Sequence, residues 1–283
     1  MKEAWKEYYT EQELKEIQRI ELESLDVLSD VCRELGIVFF LYGGSMLGAV
    51  KYGGFVPWDD DLDIALTRED YEKLLNEGPA LLPEGYELQE PRINKRTPFP
   101  YMKFRRTNTT MVEYVYRKIK INHGVYFDIY PIDNLPDDDL ELQRNQKRIL
   151  RLSITLQRQQ TASLFLPAKG WRAALRKLIA LSRHIAAKAI PRSLVIKKMN
   201  AIMTGYNCTP TNRQGNYFFP RPVNYYDGVL PPVEVIFEGR KMLLPSGYKV
   251  NLQNRYGDIT KDLPEKDRIG HRPYLLDLNL EAR

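Results

Sequence analysis

The sequence predicts an α/β fold: a mixed β-sheet core flanked by helices and joined to a basic, mainly helical segment. Three observations support this prediction: short apolar runs that end in turn residues, longer stretches with apolar residues at helical spacing, and the succession of both kinds along the first half of the chain. A chain of 283 residues, with 43% hydrophobic and 28% charged residues, is ordinary for a globular protein of one or two domains.

The first predicted element is an amphipathic helix over residues 11–35, which ends at Gly36 and covers the sheet. Its spacing places the apolar residues on one face. That face consists of Leu14, Ile17, Leu25, Leu28, Cys32 and Leu35.

A buried strand from Ile37 to Tyr42 and a second strand from Asp61 to Leu66 are predicted next. The second strand runs directly into a helix. Thr67 and Asp70 form a weak capping box at its start, and Gly78-Pro79 ends it.

The remaining elements complete the sheet and add the helical segment. Further strands are predicted at 84–91, 102–105 and 125–130, and a hairpin at 233–244 turns at Glu238-Gly239. Residues 142–203 predict helices with breaks at 167–170 and at Pro191, whereas 207–232, rich in Pro, Asn, Gly and Tyr, predict irregular structure.

Four aspartates, Asp59, Asp60, Asp61 and Asp63, stand within five positions. Strand alternation places Asp59, Asp61 and Asp63 on one side and points Asp60 away from them. Carboxylates this close repel one another, and a fold that keeps them ionised normally needs a cation such as Mg²⁺ or Ca²⁺. The pattern therefore predicts a metal site, with a solvated acidic turn as the alternative interpretation.

The turn Gly43-Gly44-Ser45 precedes these aspartates, with a helix predicted from Met46. Glycine lets the backbone approach a phosphate, and a helix N-terminus offers it free N–H groups, although many such turns are only turns. A third carboxylate, Asp128, lies between Phe127 and Ile129 in a predicted strand; alone, it would equally suit a strand end. Asp133 is predicted to be a loop cap or turn residue rather than a ligand.

This order of motifs resembles the signature of the nucleotidyltransferase superfamily. Within it, the block GGSMLGAVKYGGFVPWDDDLDI resembles the LicD family of phosphotransferases, as do YMKFRRTNTT around Lys103, HGVYFDIYPID, and NRYGDITKDLPEKDRIGH near the C-terminus. The resemblance touches residues 12–134 and 251–271. Residues 140–225 match no family motif, and the determinants of the acceptor are expected there.

The resemblance implies a nucleotidyltransferase-like core that transfers a phospho-alcohol group, typically phosphocholine, from a CDP-alcohol donor to a hydroxyl of a cell-surface glycan or teichoic acid precursor, releasing CMP. It implies Mg²⁺, or Mn²⁺, as the cofactor, held by Asp61, Asp63 and Asp128. Asp59 joins these three in the implied catalytic set, and either Asp59 or Asp128 could accept the hydroxyl proton.

Donor binding is assigned to the phosphate turn, Gly43, Gly44 and Ser45, and to the basic residues Lys103 and Arg105. The alternative for Lys103 and Arg105 is an exposed basic strand. Trp58 could stack on a base or on a choline head group, or it could simply be a packed core residue. Tyr256, Gly257, Asp258 and His271 are site candidates by resemblance alone.

Charge is distributed unevenly along the chain. Sixteen Lys and Arg but no Asp or Glu occur from Leu142 to Tyr226, which leaves 26 basic against 37 acidic residues elsewhere. Residues 171–189 form a basic amphipathic helix with Trp171, Leu175, Leu178, Ser182, Ile185 and Ala189 on one face. The basic segment 169–198 could contact an anionic membrane or a phosphate-bearing glycan intermediate, and ordinary packing of this helix on the core is the alternative. No nucleic-acid motif accompanies the charge, and no nucleic-acid partner is expected.

The expected compartment is the cytoplasm, with peripheral contact at the inner membrane face, because the sequence shows neither a signal region nor a spanning segment. Cys32 and Cys208 suggest neither a disulfide framework nor a metal site. The predicted organisation is a catalytic core at 1–140, a basic helical segment at 141–206, and a C-terminal part at 207–283 that packs on the core.

Two other classes of function remain open at this point. The same carboxylates would serve a nucleotidyltransferase that moves NMP from an NTP onto a small hydroxyl compound and releases pyrophosphate. A non-catalytic, calcium-binding membrane protein is the second class, but the aspartate cluster lacks the 12-residue loop and sixth-position glycine of an EF-hand.

Overall fold

A computed structural model describes residues 8–162, 171–218, 228–262, 264, 268, 270–271 and 273–279 of the chain. The described chain is a mixed α/β structure, as predicted. Its strands are β1 (Phe39–Leu41), β2 (Asp63–Thr67), β3 (Tyr86–Gln89), β4 (Met102–Arg106), β5 (Thr110–Glu113), β6 (Val125–Leu135), β7 (Arg213–Gly215), β8 (Val233–Phe237), β9 (Arg240–Leu244) and β10 (Pro273–Asp277).

Six strands form the central sheet, in the order β1-β2-β6-β4-β3, with β7 paired to the far end of β6. Strands β2 and β6 run parallel, and the other pairings of this sheet are antiparallel. Strands β5 and β10 form a separate two-stranded sheet, and β8 and β9 form the predicted hairpin.

Seven α-helices surround the sheet in the described parts of the chain: α1 (Glu11–Leu35), α2 (Gly43–Tyr52), α3 (Arg68–Glu77), α4 (Asp139–Gln160), α5 (Trp171–Lys188), α6 (Arg192–Met203) and α7 (Tyr248–Tyr256). Helix α1 begins at a capping box, in which Glu13 N donates to Thr10 Oγ1 and Thr10 N donates to Glu13 Oε2. It ends at Gly36, whose φ of 64° suits glycine. The predicted bounds of this helix are confirmed.

The main core lies between α1 and one face of the sheet. Leu25 and Leu28 of α1 belong to the same buried cluster as Ile64, Phe127 and Ile129 of the parallel strands. Because neighbouring residues of a strand point to opposite faces, Asp63 and Asp128 point to the other face of the sheet. The core thus leaves one face of β2 and β6 available for polar groups.

Several elements differ from the sequence prediction. Helix α2 begins at Gly43, so that Gly43-Gly44-Ser45 is its first turn and not a preceding loop. Strand β6 continues to Leu135 and contains Asp133, which is 2% exposed and accepts a hydrogen bond of 2.8 Å from Arg68 Nε. The prediction of Asp133 as a turn residue is therefore wrong: it forms a buried ion pair. The short strand β7 lies within the region predicted to be irregular.

The helical segment after β6 builds a second, smaller core. Leu142 and Ile149 of α4 pack with Val195 and Met199 of α6 and with Leu135 at the end of β6. The predicted break at Pro191 separates α5 from α6, whereas the predicted break at 167–170 lies outside the described residues. None of the described helices combines the length and the apolar character that crossing a membrane requires. The three-part division of the chain stays a prediction.

Candidate active site

Three neighbouring strands place Lys103, Asp128 and Asp63 in one row. Asp128 of β6 is directly paired with Asp63 of β2 on one side and with Lys103 of β4 on the other. Directly paired residues project from the same face with their Cβ atoms about 5 Å apart. Lys103 Nζ lies 2.9 Å from Asp128 Oδ1, and the Tyr130 hydroxyl donates to Asp128 Oδ2 at 2.9 Å. The structure thus brings the two predicted carboxylates together beside a cation.

The ammonium group of Lys103 is buried in an aromatic surrounding. Its side chain is 2% exposed, and Nζ lies 3.4 Å from the centre of the Tyr126 ring and 5.1 Å from that of Phe99. The ring faces attract the cation, and Asp128 supplies the opposite charge that a buried ammonium needs. The alternative of an exposed basic strand is therefore wrong for Lys103.

Arg105 is also buried, and its guanidinium is held by other groups. Nε donates to Gln89 Oε1 at 2.7 Å and Nη1 donates to the carbonyl of Gly124 at 2.8 Å. Its side chain is 0% exposed, so the exposed-strand alternative is wrong here as well. The guanidinium carbon lies on the same face of the sheet as Lys103, 4.6 Å from the centre of the Tyr126 ring. Arg105 is therefore a buried neighbour of Lys103 that is held by Gln89 and Gly124.

The first turn of α2 lies against the aspartates. Asp63 N donates to Ser45 Oγ at 2.8 Å. A Cβ atom on Gly43 would stand 2.3 Å from Asp63 Oδ2, and one on Gly44 would stand 2.7 Å from Asp59 Oδ2. The glycines are needed because the carboxylates approach the backbone so closely. The positive end of the α2 dipole therefore faces two acidic side chains.

The aspartates share a buried environment that disfavours their charge. Burial and the nearby Asp61 raise the pKa of Asp59 and of Asp63 well above the ordinary range. Burial likewise raises the pKa of Asp61, against the opposing effect of nearby His271. Four acidic groups, counting Asp128, thus lie where an added cation would be strongly stabilised.

Asp60 is turned toward a different set of partners. It is 1% exposed, accepts a hydrogen bond from the Tyr9 hydroxyl, and accepts a second one of 2.8 Å from His271 N. The His271 ring also lies close, with Nδ1 3.3 Å from Asp60 Oδ1 and 3.7 Å from Asp61 Oδ2. Asp60 therefore ties the chain before α1 and the C-terminal segment to the acidic loop.

Glu21 of α1 is an acidic residue near the site that the sequence interpretation missed. It is 1% exposed, and neither carboxyl oxygen has a hydrogen-bond partner. Burial, followed by the charges of Asp61 and Asp60, raises its pKa well above the ordinary range. A signal was present: Glu21 falls midway between Ile17 and Leu25 on the predicted apolar face of the helix. A charged residue inside such a face indicates a buried polar role.

The C-terminal candidates separate into two groups. The hydrogen bond to Asp60 raises the pKa of His271 well above its ordinary value, so the ring brings positive charge to the acidic loop. Burial raises the pKa of Tyr256 in α7, with Asp63 and Asp59 adding to the effect. Its neighbour Arg255, another residue that the sequence interpretation missed, partly opposes the rise that burial causes in the pKa of Asp63. All three therefore lie near the carboxylates.

Asp258 belongs to the second group because its described contacts are local. It is exposed, accepts a hydrogen bond of 2.6 Å from Thr260 Oγ1, and lies 3.2 Å from Lys261 Nζ. Gly257, between Tyr256 and Asp258, has a φ of 70° and ends α7. These contacts describe a turn at the end of α7 and do not bring Asp258 to the carboxylates.

Trp58 packs beside the acidic loop in a buried cluster. It is 8% exposed, and the guanidinium carbon of Arg268 lies 4.3 Å from the centre of its ring. An adjacent cavity of about 530 Å³ is lined in part by Tyr52, Phe55, Trp58, Glu238, Asp262 and Arg268. The ring face that could receive a cationic head group is thus already covered by an arginine.

The donor set of the carboxylates fits a hard divalent cation. Asp61, Asp63 and Asp128 offer only carboxylate oxygens, which Mg²⁺ and Mn²⁺ prefer. Their buried, mutually repelling charges would be relieved by such an ion. Across the described residues, however, no three acidic, histidine or cysteine side chains are already gathered closely enough to hold a metal. Mg²⁺ commonly takes one or two carboxylates and completes its shell with phosphate oxygens and water. The row formed by Asp63 and Asp128 could supply such carboxylates.

The part of the chain that contains this acidic centre matches the model of a known protein family. Residues 36–164, which contain Asp59, Asp61, Asp63, Lys103 and Asp128, match the family model described as the LicD/FKTN/FKRP nucleotidyltransferase domain. Over these residues the chain is similar to the LicD family, and the resemblance inferred from its motifs is confirmed.

Individual relatives show how far the similarity extends. The lipopolysaccharide cholinephosphotransferase LicD of Haemophilus influenzae is 26% identical over 273 residues, which cover 91% of this chain and 95% of that protein. The ribitol 5-phosphate transferases FKRP of Homo sapiens and Mus musculus are 42% identical over 40 residues. That stretch covers 14% of this chain and 8% of those proteins, so only a short block is shared.

Proposed function

We propose that this chain has a nucleotidyltransferase-like core and is a metal-dependent transferase. It moves a phospho-alcohol group, most readily phosphocholine, from a CDP-alcohol to a hydroxyl of a cell-surface glycan or teichoic acid precursor, releasing CMP. The row of Lys103, Asp128 and Asp63 in front of the α2 N-terminus carries this proposal, because it combines a metal-binding donor set with a phosphate-binding helix end. Similarity to a cholinephosphotransferase over most of the chain supports the choice of donor.

Donor binding uses the groups at the head of α2. The Ser45 hydroxyl accepts from Asp63 N, which leaves its own proton to donate to a phosphate oxygen. Backbone N–H groups of the first turn add further donors. A divalent cation, Mg²⁺ or Mn²⁺, bound by Asp61, Asp63 and Asp128 would neutralise the donor diphosphate and the charge that develops on the departing nucleotide. Lys103 acts through Asp128 by holding this carboxylate in place.

Transfer requires one group to accept a proton. The acceptor oxygen attacks the phosphorus that bears the alcohol, the bond from this phosphorus to the CMP oxygen breaks, and the hydroxyl proton moves to a carboxylate. Both oxygens of Asp128 are contacted, one by Lys103 and one by Tyr130. Asp59, which faces the same helix end, is therefore the proposed base.

The proposed setting is the cytoplasm, where a CDP-activated alcohol and a lipid-linked glycan precursor could meet the enzyme. A lipid-linked acceptor would place the reaction beside the inner membrane face. No nucleic-acid partner is part of the proposal.

The test is a product assay with purified protein, Mg²⁺ and four donors: CDP-choline, CDP-ethanolamine, CDP-glycerol and CDP-ribitol. One donor should give CMP release that depends on the metal and on added glycan. CTP and ATP with small hydroxyl compounds form the competing arm. Pyrophosphate release in that arm, without CMP release in the first, would replace the proposal with NMP transfer.

A matched pair of variants ties the product to the site. Asp63→Asn should abolish turnover and weaken Mn²⁺ binding, which can be measured by calorimetry without substrate. Asp30→Asn removes a carboxylate from α1 whose side chain is 72% exposed, and this variant should behave as the unmodified protein. An active Asp63→Asn variant would contradict the metal assignment.

A further inference from the structure

Helix α5 presents an apolar surface away from the rest of the protein. Leu175, Leu178, Ile179, Leu181 and Ile185 are exposed by 49%, 63%, 39%, 48% and 61%. At about 100° of rotation per residue, these five positions form one continuous stripe, named here the α5 outer face. The alternative that the apolar side of this helix packs on the core is therefore wrong.

The opposite side of α5 fixes the helix to α4. Ala187 is buried and His184 is half-buried on that side. Gln159 Nε2 of α4 donates to the carbonyl of Ala187 at 3.1 Å and to that of Ile190 at 2.9 Å. The small core shared by α4 and α6 contains no described side chain of α5. The outer face thus results from how the helix is anchored.

Basic residues flank the α5 outer face on both sides. Arg176 and Arg183 lie along one edge of the stripe, Lys177 and Lys188 lie along the other, and all four are exposed. No acidic residue occurs in α5 or anywhere else from Leu142 to Tyr226. An apolar stripe between two basic edges is the arrangement of a helix that lies in the plane of an anionic bilayer.

We propose that the α5 outer face docks on an anionic lipid bilayer, with its leucine and isoleucine side chains among the acyl chains and the flanking cations at the lipid phosphates. Charge complementarity selects this occupant, because a stripe edged only by cations suits a negative surface, whereas a second copy of α5 would oppose like charges. The docking would hold the active site near a lipid-linked acceptor, a consequence that rests on the proposed function.

The first test is sedimentation of the full-length protein with vesicles of phosphatidylcholine, with and without phosphatidylglycerol. Binding should require phosphatidylglycerol and should weaken as salt is added. Absence of binding to the anionic vesicles would overturn the proposal, and so would equal binding to both vesicle types.

Variants then locate the binding surface. The double substitution Leu178→Gln and Ile185→Gln should lower vesicle affinity at least about tenfold, because two partly inserted apolar side chains are lost. Leu150→Gln is the matched control, since Leu150 lies on α4 and is 60% exposed. An unchanged affinity of the double variant, or an equal loss in the control, would contradict the assignment to α5.

Charge removal gives an independent readout. The triple substitution of Arg176, Lys177 and Arg183 by Gln should lower affinity about a hundredfold, at about 1 kcal/mol for each cation near the membrane. Substituting Gln for three exposed lysines elsewhere, Lys118, Lys241 and Lys249, removes the same charge and should have a much smaller effect. Equal losses in both triple variants would indicate attraction by net charge and would contradict a defined docking face.

Two further measurements separate the possible failures. A dimer in light scattering that Leu178→Gln dissociates would show that a second copy covers the α5 outer face, and would overturn membrane docking. CMP release with a water-soluble glycan is measured in parallel. CMP release without vesicle binding would contradict only the proposal that the α5 outer face docks on a membrane. Vesicle binding without CMP release from any donor would contradict only the proposed function.

Discussion

Lys103 Nζ lies 2.9 Å from Asp128 Oδ1, and the same two residues are directly paired between β4 and β6. The contact is therefore determined by strand register as well as by charge. Asp63 is paired with Asp128 on the other side, so one cation and two carboxylates stand in line across three strands. The lysine of β4 is therefore held against the acidic centre.

Replacing Lys103 by Met should damage both stability and activity. Removing one partner of a buried ion pair costs roughly 3–5 kcal/mol, because the other charge is left uncompensated. Activity should fall about a hundredfold as Asp128 loses its orientation. Lys118→Met changes an exposed lysine and serves as the control. Urea unfolding and CMP release measure the two effects.

The double variant Lys103→Met with Asp128→Asn distinguishes positioning from simple structural support. It should recover much of the lost stability, because no unpaired charge remains, while staying inactive. Recovery of activity together with stability would show that neither residue takes part in transfer.

Gly43 should tolerate alanine less well than Gly53 does. Both glycines have positive φ angles, 53° and 69°, which cost an L-residue roughly 1–2 kcal/mol. A Cβ on Gly43 would also meet Asp63 Oδ2 at 2.3 Å, whereas a Cβ on Gly53 meets nothing within 4 Å. Gly43→Ala should therefore lose activity roughly a hundredfold by displacing a carboxylate, and Gly53→Ala should lose only stability. Equal activities of the two variants would contradict the close approach of Asp63.

Ser45→Ala should weaken donor binding and destabilise the fold. The substitution leaves Asp63 N without its 2.8 Å partner in a buried place, at a cost of about 1–3 kcal/mol. Ser29→Ala is the control, because the Ser29 hydroxyl only donates to the carbonyl of Leu25 within the same helix. Chemical unfolding should separate the two variants, and the KM for the donor should rise only in Ser45→Ala.

Glu21→Gln should stabilise the metal-free protein at neutral and alkaline pH. The folded-state pKa of Glu21 is raised above the ordinary value of 4.5, so its folded form keeps a proton that the unfolded chain releases. Stability associated with this proton is present below that value and is lost as pH rises toward the folded pKa. The gain in Tm from Glu21→Gln should therefore grow as the pH rises above about 5.

The control for Glu21 is Glu34→Gln, an exposed position on the same helix, which should show no such pH-dependent gain. Chelator is present in both melts, and added Mg²⁺ should reduce the gain. A Glu21→Gln variant that is destabilised by the same amount at every pH would mean that the carboxylate has a bound partner.

Much of the architecture followed from local sequence patterns. Helix α1, the capped start of α3 at Thr67 and the hairpin at Glu238-Gly239 depend on neighbouring residues, and their predictions are confirmed. Strands β5 and β10 were not predicted, because two short segments far apart in the chain form them only by pairing with each other. Long-range pairing leaves little local signal.

Part of the site could also be predicted, from the local spacing of residues and from the family resemblance. The close spacing of the aspartates marked Asp61 and Asp63, and the family resemblance pointed to Asp128 and His271. Burial decided the rest: Arg105 is enclosed among Gln89 and Gly124, and Asp258 caps a turn at the surface. Spacing along a chain does not reveal which polar side chains lose contact with water.

The parallel register of β2 and β6 also makes catalysis a sensitive report on folding. Asp63 and Asp128 are separated by more than sixty positions in the chain, yet they are direct partners. A slip of β6 by a single residue would present Phe127 or Ile129 beside Asp63 and turn Asp128 toward α1. Such a misfolded molecule could keep its helices and most of its sheet while losing the acidic centre. Turnover per molecule would then quantify the correctly registered fraction in a preparation whose circular dichroism looks unchanged.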